Sequence, residues 1–369
     1  MEYDFLVYQT ALSKIFSLKC AAGLRLMEMY PDISEIFALD RESLESIFGR
    51  ADRYVDGILN PATLDWAARE VDWALSSGIK LLPIGNPSYP ARLRECPDAP
   101  LMLYCSGEAD LNARRALAVV GTRRASYYGR DTCRKILERI ADSPLKPLIV
   151  SGLALGIDGT AHLAALDLGM PTAAVLPCGL DEVYPYRHRE LAMRIMEKGA
   201  LVSDFARGTP PVSLTFVRRN RIIAGMADAV LLAESFVPGG GLITVSLARS
   251  YDREVFAVPG RLADPSFKGC NQMIAKNMAC IVDSFDTIGT AMGWGKGSGP
   301  AKERELFSPA DTPVKREIIR SLSDRSSLNV DELALLLGES IGTLSSALLE
   351  LELEGRIRSS QEGGYEICF

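Results

Sequence analysis

The chain has 369 residues, 41 basic against 47 acidic side chains and a formal net charge of −6. That length and an apolar content of 47% fit two or three globular domains, and no apolar run reaches the ~18 residues that span a bilayer. Eight scattered cysteines form no CxxC pair and only His162 and His188 are present, so a zinc centre, a disulfide framework and histidine chemistry lose their usual support. The N-terminus is acidic and lacks the basic region of a secretory signal. A cytoplasmic chain with reduced thiols is expected, with no metal, no cofactor and no membrane segment.

Residues 1–75 show apolar residues at helical spacing in several short pieces. Pro61 stands at the start of one helix, over 62–76, a favourable first-turn position. Brief links between short helices suggest a compact SAM-like helical domain. It carries 7 basic and 13 acidic residues. Phosphate binding needs positive charge, so a structural or protein-contact role is favoured there.

Residues 79–84 and 101–104 read as two short strands, separated by a proline-rich stretch that interrupts regular structure. From 115 to 290 the pattern repeats as strand, turn, helix. Strands are predicted over 117–120, 147–150, 173–176, 200–202, 229–233 and 254–258. They are short and apolar, as parallel strands buried on both faces are. The fold class predicted is α/β, a Rossmann-like doubly wound, mostly parallel sheet over 76–290. Residues 291–312, rich in Gly, Ser, Lys and Pro, read as a linker. Three helical pieces and a hairpin over 313–369 describe a winged-helix domain. Its would-be recognition helix, 342–354, has no Lys or Arg, so a protein-contact role is favoured over groove reading.

Charge is not spread evenly. Residues 111–290 hold 22 basic and 17 acidic side chains, so the middle domain is positive while the rest of the chain is strongly acidic.

The chemistry lies in the turns after the predicted strands. In an open α/β sheet, ligands sit outside the carboxyl ends of the strands. The first turn is Gly121-Thr122-Arg123-Arg124-Ala125-Ser126, running into a helix from Tyr127. Glycine lets the backbone approach a ligand, the helix start favours an anion, and Arg123 can hold a phosphate in its fork. The second turn, Ser151-Gly152-Leu153-Ala154-Leu155-Gly156, opens a helix near Asp158, which reads as a helix cap, with His162 a packing residue. The dinucleotide fingerprint GxGxxG is absent. The third turn sets Tyr184 and Tyr186 beside Arg187; either it stacks unpaired bases or it is a rigid surface loop. The fourth, Phe216-Val217-Arg218-Arg219-Asn220-Arg221, is either a binding run or solvated charge. Arg221 has a further reading, as a structural partner of an acid such as Asp204. The fifth, Pro238-Gly239-Gly240-Gly241-Leu242-Ile243-Thr244, is another backbone-rich cradle.

Taken together the turns resemble the DNA-processing protein A (DprA, or Smf) family. The resemblance rests on Gly121-Thr122-Arg123 with Ser126, Ser151-Gly152-Leu153-Ala154 with Gly156-Ile157-Asp158, and Gly179-Leu180-Asp181 with Tyr184-Pro185. It continues through Arg219-Asn220-Arg221-Ile222-Ile223-Ala224-Gly225, Leu242-Ile243-Thr244 and Gly269-Cys270-Asn271. It implies a single-stranded DNA-binding protein, with no enzymatic turnover. Such proteins protect incoming strands in natural transformation, help load the RecA recombinase and commonly form homodimers. The site expected is Gly121, Thr122, Arg123, Ser126, Ser151, Gly152, Gly156, Tyr184, Arg187, Arg218, Arg219, Asn220, Arg221, Gly240 and Thr244. The Pro-Gly-Gly-Gly turn also resembles nucleotide-cleaving phosphoribohydrolases. Their motif carries a glutamate where this chain has Leu247.

Overall fold

The computed structural model describes residues 2–49, 53–143, 146–294, 311–323, 328–354, 356–359 and 364–367. The chain forms two compact units, Met1–Gly297 and Ser298–Phe369. The first unit begins with six helices: α1 (Glu2–Ile15), α2 (Cys20–Met29), α3 (Ile33–Ala38), α4 (Arg41–Phe48), α5 (Arg53–Leu59) and α6 (Pro61–Ser76). Their starts are chemically marked. Asp32 and Asp40 cap α3 and α4 by accepting backbone N–H groups from Ser34 and Ser43, and Asn60 caps α6 ahead of Pro61. Leu12, Phe16, Leu26, Ile36, Leu44 and Val55 fill the space between them. Phe16 stacks on Tyr54 with ring centroids 4.8 Å apart.

The chain then enters one nine-stranded sheet. Its elements are β1 (Lys80–Pro83), α7 (Ala91–Arg94), β2 (Met102–Gly107), β3 (Ala116–Gly121), α8 (Tyr127–Ala141) and β4 (Leu148–Ser151). Next come α9 (Ile157–Asp167), β5 (Thr172–Val175), α10 (Arg189–Lys198), β6 (Ala200–Ser203), α11 (Ser213–Gly225) and β7 (Ala229–Glu234). The unit closes with α12 (Gly240–Ser250), β8 (Glu254–Ala257), α13 (Lys268–Ala275), β9 (Cys280–Ile281) and α14 (Thr287–Ala291). The strand order is β1-β2-β6-β5-β4-β3-β7-β8-β9. The pairs β1/β2 and β2/β6 are antiparallel and the rest are parallel.

All six strands expected in the middle domain are present, each within a few residues of its predicted bounds. The apolar runs are continuous because both faces are covered: β3 to β7 are almost wholly buried. The chain winds from β3 outward to β6, then returns to the other side of β3 with β7. The winding therefore reverses between β3 and β7, and that is where such a sheet opens a crevice beyond its carboxyl ends.

The second unit has α15 (Pro313–Ser323), α16 (Val330–Leu337), α17 (Ile341–Leu353) and the antiparallel pair β10 (Ile357–Ser359) and β11 (Tyr365–Ile367). Asn329 and Glu332 form a capping box on α16, and Gly338 ends it in the left-handed conformation. Ile318, Leu333, Leu344, Leu348 and Leu351 make its core. Of the expected linker 291–312, residues 295–310 lie outside the described residues, as do 362 and 363 of the hairpin. Residues 291–294 belong to the first unit, with Trp294 buried. Among the described residues no single helix is long and apolar enough to cross a membrane, and no group of acids, histidines and cysteines is placed to hold a metal.

Candidate nucleic-acid interface

A crevice of about 490 Å³ lies at the reversal between β3 and β7. Gly121, Thr122, Arg123 and Arg124 form one wall. The start of α12, with Gly240 and Thr244, forms another, and α11 contributes Phe216, Val217 and Asn220. Two of the glycine turns expected to converge, 121–126 and 238–244, therefore do meet at one place.

The first turn is held by one acid. Thr122 donates its N–H to the Glu234 carbonyl at 2.8 Å. Ser126 donates its N–H to the Glu234 carboxylate at 3.1 and 2.9 Å, and its hydroxyl at 2.9 Å. Ser126 Oγ in turn caps α8, accepting from the Gly129 N–H at 3.0 Å. Glu234 is fully buried at the end of β7. Ser126 therefore faces an internal carboxylate, which corrects the expectation that the α8 start receives an external anion. The acceptor that a helix N-terminus favours is already supplied there by the protein itself. By contrast α12 is preceded by Gly239 at its N-cap, which offers no side-chain cap, and Gly240 is exposed with open space around it. That helix end is the one that opens on the crevice with its amides available to an anion.

Arg123 is exposed, and its guanidinium lies 4.5 Å from the Phe216 ring centroid. Tyr184 packs edge-on against the same ring at 5.4 Å. Arg123, Phe216 and Tyr184 thus form a continuous cation and aromatic surface beside the crevice. Such a surface offers a fork to phosphate and faces to bases. Arg187 and Tyr186 are exposed on the short 3-10 turn Tyr186–His188 that follows Tyr184.

The arginine run does something else. Residues 218–221 lie inside α11, and the helix points its arginines into the protein. Arg219 is buried and donates to the carbonyls of Gly152 and Val175, both at 2.6 Å. Burial pulls its pKa down to about 10 against the opposing pull of Asp158. Arg221 is buried against Asp204 at 2.6 Å and also donates to the Asp98 carbonyl. Arg218 donates to the Ser17 carbonyl and lies over the Phe205 ring at 5.1 Å. All three are engaged by the fold, so the reading of this run as phosphate contacts is corrected; only the structural alternative given for Arg221 matches. Asn220 faces the crevice, and Arg219 also lines it from its buried position.

The second turn is also scaffold. Ser151 is buried and donates to the Val119 carbonyl at 2.6 Å. Gly152 leaves room for Arg219: a Cβ there would sit 2.0 Å from its Nη1. Gly156 caps α9 at φ +81°, where a side chain would be strained and would strike the Thr122 carbonyl. None of these three lines the crevice; from this segment Ala154 and Asp158 do. Asp158 stands inside α9, accepting from the Ala154 N–H at 3.3 Å, and burial raises its pKa. His162 is buried and hydrogen-bonded to Thr172 Oγ1 at 2.7 Å, which is a packing role.

Two important residues were not singled out from sequence. Phe216 figured only as an aromatic neighbour of the arginines. Glu234 lies one residue beyond the strand predicted over 229–233, although an acid closing a buried apolar run ahead of a glycine turn is itself a signal.

The fold and the crevice define a class: a doubly wound α/β protein with a crevice at its switch point, an uncapped helix start opening on it, an arginine on an aromatic ring beside it, and a winged-helix unit. Comparison with known proteins makes the class specific. The family model for DNA recombination-mediator protein A matches residues 80–293, and the DprA winged helix domain matches 302–363. The chain is 37% identical to Protein Smf of Escherichia coli over 298 residues, covering 79% of this chain and 78% of that protein. It is 35% identical to DNA processing protein DprA of Streptococcus pneumoniae over 238 residues, 63% of this chain and 83% of the other. The X-ray structure of the Streptococcus pneumoniae DprA aligns with a TM-score of 0.64 at 32% identity, covering 77% of this chain and 97% of that one. A Helicobacter pylori DNA processing protein A, described for its single-stranded DNA binding mode, aligns with a TM-score of 0.52 at 26% identity over 58% of this chain and 95% of its own. This chain belongs to the DNA recombination-mediator protein A (DprA) family.

Proposed function

We propose that this protein binds single-stranded DNA in the crevice between β3 and β7. The observation that carries the reading is Arg123 lying on Phe216, backed by Tyr184, across from the uncapped start of α12. One phosphate meets the α12 amides and Arg123 holds the next oxygens in a fork, while unpaired bases stack on the rings. A duplex hides its base faces, so single strands are preferred. The positive balance of residues 111–290 supports the same reading. The contacts proposed are Gly121, Thr122, Arg123, Asn220, Gly240 and Thr244 at the crevice, with Phe216, Tyr184 and Arg187 beside it.

The family role follows as part of the proposal. The protein acts in the cytoplasm as a homodimer, protects incoming strands and helps load RecA, and it has no catalytic turnover. The domain plan proposed is a helical region over 1–75, a DNA-binding region over 76–290 and a winged helix over 313–369. Fluorescence anisotropy with labelled single- and double-stranded oligonucleotides at one salt concentration tests the binding. A clear preference for the single strand is expected, and equal affinity would refute it. Strand exchange by RecA on DNA precoated with a single-strand-binding protein, with and without this chain, tests the loading role.

A further inference from the structure

We propose that Glu234 is the positioning residue of the Arg123 turn. It rests on the single-strand reading above and deepens it. The turn runs from Thr122 to Ser126, and Glu234 grips both ends. Its carbonyl accepts the Thr122 N–H, and its carboxylate accepts the N–H and hydroxyl of Ser126. No other residue bonds both ends of the turn among the described residues. The grip also explains Gly129: a Cβ there would sit 1.9 Å from Glu234 Oε2. The surroundings are shaped around the carboxylate.

Two consequences follow for the site. With its ends fixed, the turn presents Arg123 over Phe216, and its guanidinium is aimed before DNA arrives. Preorganisation of this kind lowers the ordering cost of binding. The carboxylate also occupies the start of α8, through the N–H and hydroxyl of Ser126. The phosphate is thereby directed to α12, whose start has no side-chain cap. Glu234 touches no DNA in this arrangement and acts through Arg123.

The test uses the full chain, a labelled oligothymidine and anisotropy across a salt series. Arg123→Ala is expected to lower the slope of log affinity against log salt by roughly 0.7, one phosphate contact on a single strand. Glu234→Ala is expected to lower it by the same amount, and the double variant by no more than either alone. Glu234→Gln is expected to restore most of the slope. Its amide oxygen still accepts the Ser126 N–H, and its amide N–H donates to Ser126 Oγ. A role confined to stability would change the folded fraction and leave the slope of the folded protein alone. If Arg123→Ala lowers the slope while a folded Glu234→Ala binds as tightly as the parent, the positioning role is overturned and the DNA reading stands. If Arg123→Ala leaves the slope unchanged, the DNA reading of this turn fails first. Should Glu234→Ala not fold, Ser126→Ala removes the hydroxyl half of the grip. A fall in slope that is not additive with Arg123→Ala then supports the role, and an unchanged slope overturns it.

Discussion

Arg221 donates to the Asp204 carboxylate at 2.6 Å, and the two side chains are 9% and 3% exposed. The same guanidinium reaches the Asp98 carbonyl, at the entry to the sheet, and Cys20 Sγ at 3.5 Å, at the start of α2. Arg221 therefore pins α11, the helix that carries Phe216 and Asn220, to the helical region. Arg221→Ala leaves Asp204 buried without this partner. Removing one member of a buried pair costs about 3–5 kcal/mol. Urea unfolding should show a loss of that order. Asp204→Asn in the Arg221→Ala background should recover part of it, because Asp204 is otherwise left with only the more distant Arg218, at 3.8 Å. In the fraction that stays folded, the salt slope for single strands should match the parent, unlike Arg123→Ala.

The contrast between Arg221 and Arg123 shows what could be read from the sequence. The strands were legible because short apolar runs between helical segments have few other uses. Their order was not legible: the right-handed crossover sets the hand of each connection, not which strand lies beside which, so the reversal between β3 and β7 comes from the structure alone. β9 was not legible: it is two residues long and both are exposed, so it leaves no apolar signature. The fate of the arginines was hidden for another reason. Arg219 and Arg221 are taken up by groups distant in sequence, the carbonyls of Gly152 and Val175 and the acid Asp204. A local run of charge carries no record of such partners. The glycines at 152 and 156 were found correctly as special positions, but their space is used by Arg219 and Thr122, not by a ligand.

Arg123→Lys separates charge from shape. Lysine keeps the positive charge but loses the planar fork and its stacking on Phe216. The salt slope should stay close to the parent while affinity falls. Phe216→Ala removes the ring that supports Arg123 and meets Tyr184. Loss of one aromatic platform costs about 1–3 kcal/mol of single-strand affinity. Isothermal titration with short oligothymidines measures both. Equal affinity for parent and Phe216→Ala would remove the ring from the site.

His162 sets an acid limit on stability. Burial is the main cause that lowers its pKa from 6.5 to about 3, helped by the charges of His188 and Arg219. The unfolded chain binds the proton near pH 6.5 and the folded chain does not until about pH 3. The unfolded state therefore holds more protons in that window. The contribution of His162 is fully present above about pH 6.5 and is lost as pH falls toward 3, at about 1.4 kcal/mol per pH unit. His162→Gln can keep a bond to Thr172 without titrating. Its unfolding free energy should fall less steeply between pH 6 and about 4 than that of the parent.

The winged-helix unit should not carry the main DNA contact. Its helix α17 (Ile341–Leu353) would be the reading helix, and it has no basic residue. Glu350, Glu352 and Glu354 crowd its end instead. Lys315 from α15 is committed to Glu350 and Glu354, each at 2.8 Å, and Arg356 to Asp311 at 2.7 Å. Phosphate binding draws on released counterions, so an acidic face opposes it. Leu349 and Leu353 stand exposed on the same helix, 57% and 80%, which suits contact with protein better than with a groove. A protein ending at Gly297 retains the whole first unit, with the sheet and the crevice. It should keep the single-strand affinity of the full chain within a few-fold and the same salt slope, since no phosphate contact has been removed. Anisotropy on the two proteins across a salt series decides the matter. A folded truncation with a shallower slope would place phosphate contacts in the winged helix. One with the same slope but weaker binding would mean that the unit acts through assembly.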